Sequence, residues 1–496
     1  MEKRPNILFL FPDQLRADFL GCYGAKFAKT PNIDKLCAES IQYMNTVSPT
    51  PVCVPARASL LVGYNSIKTG VFNNDHWLRP DHTACGMPTW PELLVQHGYY
   101  TASIGKMHFY PWDISEGFVY RVIAEDKRHY EIRDDYYHYL KAHGYEKYHG
   151  RENPGYHEHK GAAASRIPFE HQVDIWTADR TVDFLENYQS DQPFACMTGF
   201  PGPHCPYDPA PEIAAMFNPD DMPDSIPENE TSEKFRYACL EPQKMEWNGI
   251  DYFEFTEPQR KRVRAYYSAL IHQVDIGVGR IIQTLEKKGL LDNTVIIFSA
   301  DHGEYAGDYG LIGKGHSYPS STHVPLFIRL PEKMHKKIES TVSLTDLFST
   351  ILSLAGVKHE ENSDSYVLPE MPGNTVKSRD WLFAPSLLGY MLIKGKWKYC
   401  RYFNGVKMLM DMEADPDEVN NRIDDPACAG VIKEMNELME QQIDISIQFS
   451  NNEKLVDRGG LCGEGAFGEH FWKRTYPANS NGFVPHHLIK KGINGK

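Results

Sequence analysis

The chain has 496 residues, 41% hydrophobic and 24% charged, with a formal net charge of −14. That length and ordinary globular composition fit one large domain with a smaller one attached, and the negative balance argues against nucleic acid or an anionic membrane as partner. No apolar run approaches a membrane span, and the ten cysteines stand singly without a CxxC pair, which suits reduced thiols rather than a disulfide framework or zinc site.

In chain order, Met1-Glu2-Lys3-Arg4-Pro5 leads directly into an apolar strand without the pattern of a signal peptide, so a cytoplasmic protein is expected. That strand runs Asn6 to Phe11 and is stopped by Pro12. The stretch from about Trp112 to His171 is rich in Tyr, His and charge and reads as an insertion over the sheet. Further continuous apolar runs, Phe194 to Phe200, Thr294 to Ser299 and Val324 to Leu330, suit strands buried on both faces of a parallel sheet. Between them Thr256 reads as a helix N-cap with Glu257 and Pro258 in the first turn. Val263, Tyr267, Leu270, Val274, Val278, Ile281 and Leu285 follow at helical spacing, and Gly289 ends the helix.

From about Ser378 the texture changes to short strands, Trp381 to Pro385, Tyr390 to Lys394 and Trp397 to Tyr402, followed by a helix near Ala429 to Ile443. The expected fold is α/β, a large and mostly parallel sheet sandwiched by helices, with a smaller C-terminal α+β subdomain. The corresponding division is a catalytic unit over 1–377 with a substrate-shaping insertion at 112–171, a subdomain over 378–447, and a tail over 448–496. The tail carries Leu455, Leu461, Phe467, Phe471 and Trp472 without a period of its own, so its apolar residues need a surface to cover, and a homo-oligomer is expected.

Ligands of open parallel sheets bind beyond the carboxyl ends of the strands. Asp13-Gln14 follow the first strand at once, and Asp301-His302 follow the Thr294 strand in the same way. Such a set could hold one divalent cation. Oxygen donors favour Ca²⁺, Mg²⁺ or Mn²⁺, and the imidazole leans toward Mn²⁺. Taken singly, each pair reads more readily as a turn or helix cap than as a ligand.

The segment Pro51-Val52-Cys53-Val54-Pro55-Ala56-Arg57-Ala58-Ser59-Leu60-Leu61-Val62-Gly63 settles the matter. It resembles the signature of the type I sulfatases of the alkaline phosphatase superfamily, Cys-x-Pro-x-Arg ahead of a small-residue helix and Gly. The resemblance implies that a maturation enzyme oxidises Cys53 to formylglycine, whose hydrated form is the nucleophile. It also implies an alkaline-phosphatase-like fold and one divalent cation, Ca²⁺ first, held by Asp13, Gln14, Cys53, Asp301 and His302. Other segments fall in family order. Gly105-Lys106-Met107-His108 resembles a Gly-Lys-x-His run in which Lys contacts sulfate and His acts on the formylglycine hydroxyl. Pro203-His204-Cys205-Pro206 resembles the turn placing a second His near the leaving oxygen. Asp301-His302-Gly303-Glu304 with Lys314 resembles the metal motif and its downstream Lys. Asn73-Asn74 lie where relatives put an amide near the substrate, Asn74 being closer by spacing. In the C-terminal part Lys394 to Tyr399 and Met408 to Asn421 resemble the run Lys-Tyr … Leu-x-Asp … Asp-Pro-x-Glu-x-Asn. His316, near Lys314, is open between substrate contact and loop residue.

The implied reaction is hydrolysis of a small sulfate ester of a sugar, aryl or alkyl alcohol. Asp301 accepts the nucleophile's proton, Arg57 steadies the diol, and Lys106 and Lys314 offset charge. His204 or Lys314 protonates the leaving oxygen and His108 takes the second diol proton. Asp13-Gln14 and Asp301-His302 depart from the commoner Asp-Asp and Asp-Asn pairs, and resemble both choline-sulfatase-like enzymes and phosphonate monoester hydrolases. Ser165-Arg166-Ile167-Pro168, Gln14 and Lys314 fit the second group, so a phosphonate monoester or phosphodiester hydrolase is the alternative.

Overall fold

The computed structural model describes residues 4–452 apart from positions 84, 127, 359–363 and 376–378. Tail residues 453–496, including Leu455, Leu461, Phe467, Phe471 and Trp472, lie outside the described residues, and with them the expected subunit contact. The main sheet contains β1 (Asn6–Asp13), β2 (Ile41–Val47), β3 (Tyr100–Gly105), β4 (Tyr120–Ile123), β5 (Phe194–Pro203), β6 (Thr294–Ser299), β7 (His323–Arg329) and β8 (Lys336–Ser343). Their spatial order is β4-β3-β5-β1-β6-β7-β2-β8. All described pairings are parallel except those of β7, which runs against β6 and β2.

Alternation along β1 shows why its run is continuously apolar. Leu8 and Leu10 enter the core layer beneath the long helix Glu257–Lys287, whereas Ile7, Phe9 and Phe11 enter the opposite layer with the helix Cys53–Val62. Side chains of period two thus feed two cores, and neither face can be polar. The Glu257–Lys287 helix begins as expected: Gln259 accepts from the Thr256 backbone N–H, and Gly289, past the last turn, takes φ +65°.

Three expectations need correction. β1 does not stop at Pro12 but runs to Asp13, because the missing N–H falls at the strand's end, where the register with β5 shifts between Pro12 and Asp13. The Trp112–His171 stretch is not wholly an insertion over the sheet. Tyr120–Ile123 forms the edge strand β4 against β3, and Ala124, Tyr136, Leu140 and Ile167 join Val173 and Trp176 in a small core of their own. The Val324–Leu330 run is strand β7, but antiparallel, so its buried apolar character did not require parallel pairing.

The second sheet is antiparallel, β9 (Leu382–Ser386), β10 (Gly389–Lys394), β11 (Trp397–Tyr402) and β12 (Lys407–Asp411) in the order β12-β11-β10-β9, and the helix Ala429–Asn452 packs on it. It grips the loop after Lys314. Buried Lys398 on β11 pairs with buried Glu418 and donates to the Ser317 carbonyl at 2.5 Å, while Tyr402 accepts from Ser317 N at 3.0 Å. Tyr309 ties the same region to the Asp417 carbonyl at 2.7 Å. The Lys-Tyr and Asp-Pro-x-Glu segments therefore meet in space. Removing one member of a buried pair leaves the other uncompensated, at a cost of about 3–5 kcal/mol. Lys398→Met should lose that much in denaturant unfolding, and adding Glu418→Met should recover most of it. Equal stability of Lys398→Met and the parent would refute the clamp.

Candidate active site

Six elements deliver the site to one end of the sheet. β1 ends in Asp13-Gln14, β6 is followed by Ala300 and Asp301-His302, β3 by Lys106, β5 by His204, and β4 by Ala124 and then Glu125-Asp126. The helix Cys53–Val62 presents Cys53 at its first turn. Backbone geometry dictates glycine where β3 and β5 meet. Gly105 sits at φ +91°, and a Cβ there would lie 2.1 Å from the Gly199 carbonyl oxygen; a Cβ on Gly199 would lie 2.0 Å from that of Lys106. This close approach lets Lys106 N donate to Gly199 O at 2.7 Å and turns the Lys106 side chain inward.

Arg57 is the centre of the buried charge. Its Nε donates to Asp301 Oδ2 and its Nη2 to Asp13 Oδ2, each at 2.9 Å, and its Nη1 reaches the Lys106 carbonyl at 3.1 Å. Lys106 Nζ lies 3.1 Å from Asp13 and 3.4 Å from Asp126. Asp301 Oδ1 accepts from the backbone N–H of Gln14 and of His302 at 2.9 and 3.0 Å. Gln14 adopts φ +68°, uncommon for a side-chain-bearing residue, and its amide bridges Lys314 Nζ at 2.6 Å and Glu304.

The Cys53 thiol lies within this ring, 3.1 Å from Lys314 Nζ, 3.2 Å from His302 Nε2 and 3.8 Å from Asp13 Oδ1. Burial opposes ionisation there, but Lys314, His302 and Lys106 outweigh it and hold the thiol well below its ordinary pKa. Burial likewise opposes charge on Lys106, yet Asp13 and Asp126 raise its pKa. His204 behaves oppositely: burial, then Lys314, Arg128 and Lys106, lower it to about 3, so the ring is neutral.

One ligand atom each from Asp13, Cys53, Asp301 and His302 lies within 4.8 Å of the others. His302 Nδ1 donates to the Gly303 carbonyl at 2.9 Å, which turns Nε2 toward the cluster as the nitrogen a bound cation would take in place of its proton. Two carboxylates and a free imidazole nitrogen fit a hard divalent cation. Gln14 stands beside them, but with its oxygen engaged by Lys314.

The remaining expected residues are also placed. Asn74, rather than Asn73, faces the site: its Oδ1 accepts from Val54 N at 3.1 Å in the first turn of the cysteine helix, and the residue lines a cavity of about 410 Å³ with His108 and His204. Asn73 bonds Asp75. His316 is buried, stacks on Phe235 at 4.2 Å and does not line that cavity. Arg166 is exposed and does not line the cavity. Sequence reasoning missed Asp126 and Arg128. Asp126 is buried between Lys106, Arg128 and His204, and Arg128 lines the cavity. The signal was there: Tyr120-Arg121-Val122-Ile123 is a short β-prone run closely followed by acids, the same strand-then-acid order as Asp13 and Asp301.

Against known proteins, the Sulfatase family profile matches residues 5–357. Arylsulfatase K of Bos taurus is 30% identical over 451 residues, spanning 84% of this chain and 78% of the relative. The choline-sulfatase of Rhizobium meliloti is 28% identical, spanning 85% and 83%. Among solved structures, the phosphonate monoester hydrolase of Agrobacterium radiobacter superposes with a TM-score of 0.75 at 23% identity, covering 89% of this chain and 96% of its own, a likeness of fold. The chain therefore belongs to the sulfatase family of sulfuric ester hydrolases.

Proposed function

We propose that the chain releases inorganic sulfate from a small sulfate ester through Cys53, oxidised to formylglycine by a separate maturation enzyme, with one divalent cation, Ca²⁺ ahead of Mn²⁺ or Mg²⁺, between Asp13, Asp301 and His302. The observation that carries this reading is the position of Cys53, a fully buried thiol ringed by a complete set of acid, base and cation partners. A structural cysteine needs none of them. Hydrated formylglycine supplies a nucleophilic oxygen and a second hydroxyl through which sulfate is later expelled. A bound cation supplies Lewis acidity toward an ester oxygen and stabilises an ionised hydroxyl.

The chain's own residues account for the rest. Burial and the Asp13 charge raise the Asp301 carboxyl against the pull of His302 and Arg57, which suits it to accept the nucleophile's proton. Arg57, fixed by both carboxylates, holds residue 53 in line. Lys106, fully buried, and Lys314, partly buried, offset negative charge on the transferring group. His108, which lines the cavity with Asn74 and His204, takes the second hydroxyl proton of residue 53 when sulfate leaves. For the leaving oxygen, geometry favours Lys314 over His204. His204 Nδ1 donates to the Cys205 carbonyl at 2.8 Å, leaving Nε2 bare on a ring that stays neutral. A cation added nearby pushes in the same direction. Lys314 carries its proton at 3.1 Å from the reacting side chain.

The sulfate reading stands ahead of the phosphonate one. Arg166, one of the residues that suggested phosphonates, lies exposed and away from the cavity. Lys106 is fully buried beside Asp13, where it suits a third non-bridging sulfate oxygen better than the carbon substituent that a phosphonate carries in that oxygen's place.

Three outcomes are expected. Peptide mass spectrometry of active protein should find an aldehyde at position 53, and Cys53→Ala should abolish turnover; fully active protein with an unmodified thiol would exclude the mechanism. Asp13→Ala and Asp301→Ala should each lose bound metal by elemental analysis, since a hard cation needs both charges, and full occupancy in either would sink the proposed site. Finally, kcat/KM for an aryl sulfate should exceed that for the matched aryl phosphonate monoester. Lys106→Ala should cut the sulfate rate by about 10²–10³ and the phosphonate rate far less. Equal damage to both would favour the phosphonate alternative.

A further inference from the structure

We propose that the cavity beside His204 is an oxyanion subsite in which Arg151, seconded by Arg128, selects sulfate esters whose leaving group carries a second negative charge, a carboxylate or another sulfate. This rests on the sulfatase reading above and adds a substrate class to it.

The cavity's cations differ in how far they are already paired. Arg128 is fixed: its Nε and Nη2 engage Asp126 at 3.2 and 2.9 Å, its guanidinium lies 4.8 Å over the Trp247 ring, and Nη2 is 3.3 Å from both ring nitrogens of His204. Its Nη1 has only the weak acceptor Cys205 Sγ, at 3.5 Å, so hydrogen-bonding capacity remains beside the position of the leaving group. Arg151 lines the same cavity, and no carboxylate among the described residues pairs with it.

The acids in the cavity do not neutralise this wall. Asp126 is shared among Lys106, Arg128 and His204, and Glu125 accepts from the His108 backbone N–H at 3.1 Å. Asp75 is exposed at the mouth, and Glu131 is only partly buried. His149 reports the local potential. Burial and then Arg151 and Arg128 lower it to about 4, so the ring stays uncharged between two arginines. It is buried, holds the Trp247 carbonyl at 2.6 Å, and its Nδ1 has no partner. In a protein of net charge −14, a half-buried arginine without a carboxylate is an investment that an incoming anion repays. The volume of about 410 Å³ accommodates one ring bearing such a group, with Trp247 as an apolar surface. A cationic alcohol such as choline would meet two positive side chains instead.

The test compares kcat/KM of the aldehyde-bearing enzyme for phenyl sulfate, the 2-, 3- and 4-carboxyphenyl sulfates, 1,3-phenylene disulfate and choline sulfate. At least one dianionic ester should exceed phenyl sulfate by roughly 10- to 100-fold, the range of a charge-assisted contact, and choline sulfate should fall below it. The ratio should shrink in about 1 M salt, where the screening length is about 3 Å. Arg151→Met should collapse that ratio toward one, while Arg151→Lys retains part of it. Preference for a carboxyphenyl ester identifies a carboxylate, and preference for the disulfate identifies a second sulfate; either supports the subsite. Phenyl sulfate turned over as fast as every dianion, or a ratio unmoved by Arg151→Met, overturns the subsite and leaves the sulfatase reading intact. No turnover of any sulfate ester by protein carrying the aldehyde overturns both.

Discussion

One guanidinium makes this site possible. Asp13 and Asp301 end two adjacent strands, both are fully buried, and both bond the single side chain of Arg57. Two carboxylates so placed repel each other and lose their hydration, a penalty of several kcal/mol per ion even after relaxation. Arg57 answers both charges with separate nitrogens, in the fixed fork geometry that lysine lacks. Its helix therefore cannot shift without stranding two carboxylates. Because Cys53 sits one turn earlier on that helix, the constraint that satisfies the acids also sets the position of the reacting residue.

The sheet turns this local constraint into a larger one. Five contiguous parallel strands, β4 through β6, end at the same side, so residues distant in sequence arrive together without long loops. Each arrival has its own local cause: the bulge at Pro12, the close approach of Gly105 and Gly199, and the left-handed turn at Gln14. Lys314 comes from a loop outside the strand ends, and that loop is where the small antiparallel sheet takes hold through Lys398 and Tyr402. The second sheet thus steadies a charged group that the first does not.

What could be read from the sequence follows from the same physics. β6 is bounded as its apolar run indicates, because both faces are buried and a threonine and a serine end it. Asp13, Asp301, Cys53, Lys106 and His204 lie directly after strands or within a dense motif, so order along the chain translated into nearness in space. The far side of the sheet was harder. β2 and β8 mix Gln42, Asn45, Lys336 and Lys337 with apolar residues, so neither has a continuous apolar signature, and only β8, at the edge, is half-exposed. The strand-then-acid order after Tyr120–Ile123 pointed to Asp126, but the polar stretch around it and Arg128 suggests surface. Their importance comes from tertiary partners, Lys106 and His204, that local pattern cannot supply. The surroundings of His316 were likewise out of reach of local pattern, because Phe235, which stacks on its ring, lies 81 positions earlier in the chain.

The arrangement also bears on why oxidation of Cys53 would matter beyond creating a nucleophile. Burial favours the neutral form of Lys314, and the charge of the Cys53 thiolate is the first influence holding its proton on, followed by Asp13. With the thiol unmodified, Lys314 is thus tied to the Cys53 thiolate in an ion pair, and neither is free. Converting residue 53 to an uncharged hydrated aldehyde removes that countercharge. Burial and the neighbouring Lys106, both of which act to lower the Lys314 pKa, then act against a weaker opposition. The ammonium becomes a better acid toward the leaving oxygen, at the same site where His204 is held neutral and cannot take the role. In the proposed reaction one covalent change supplies the nucleophile and sharpens the acid, because both properties hang on the charge of a single buried atom.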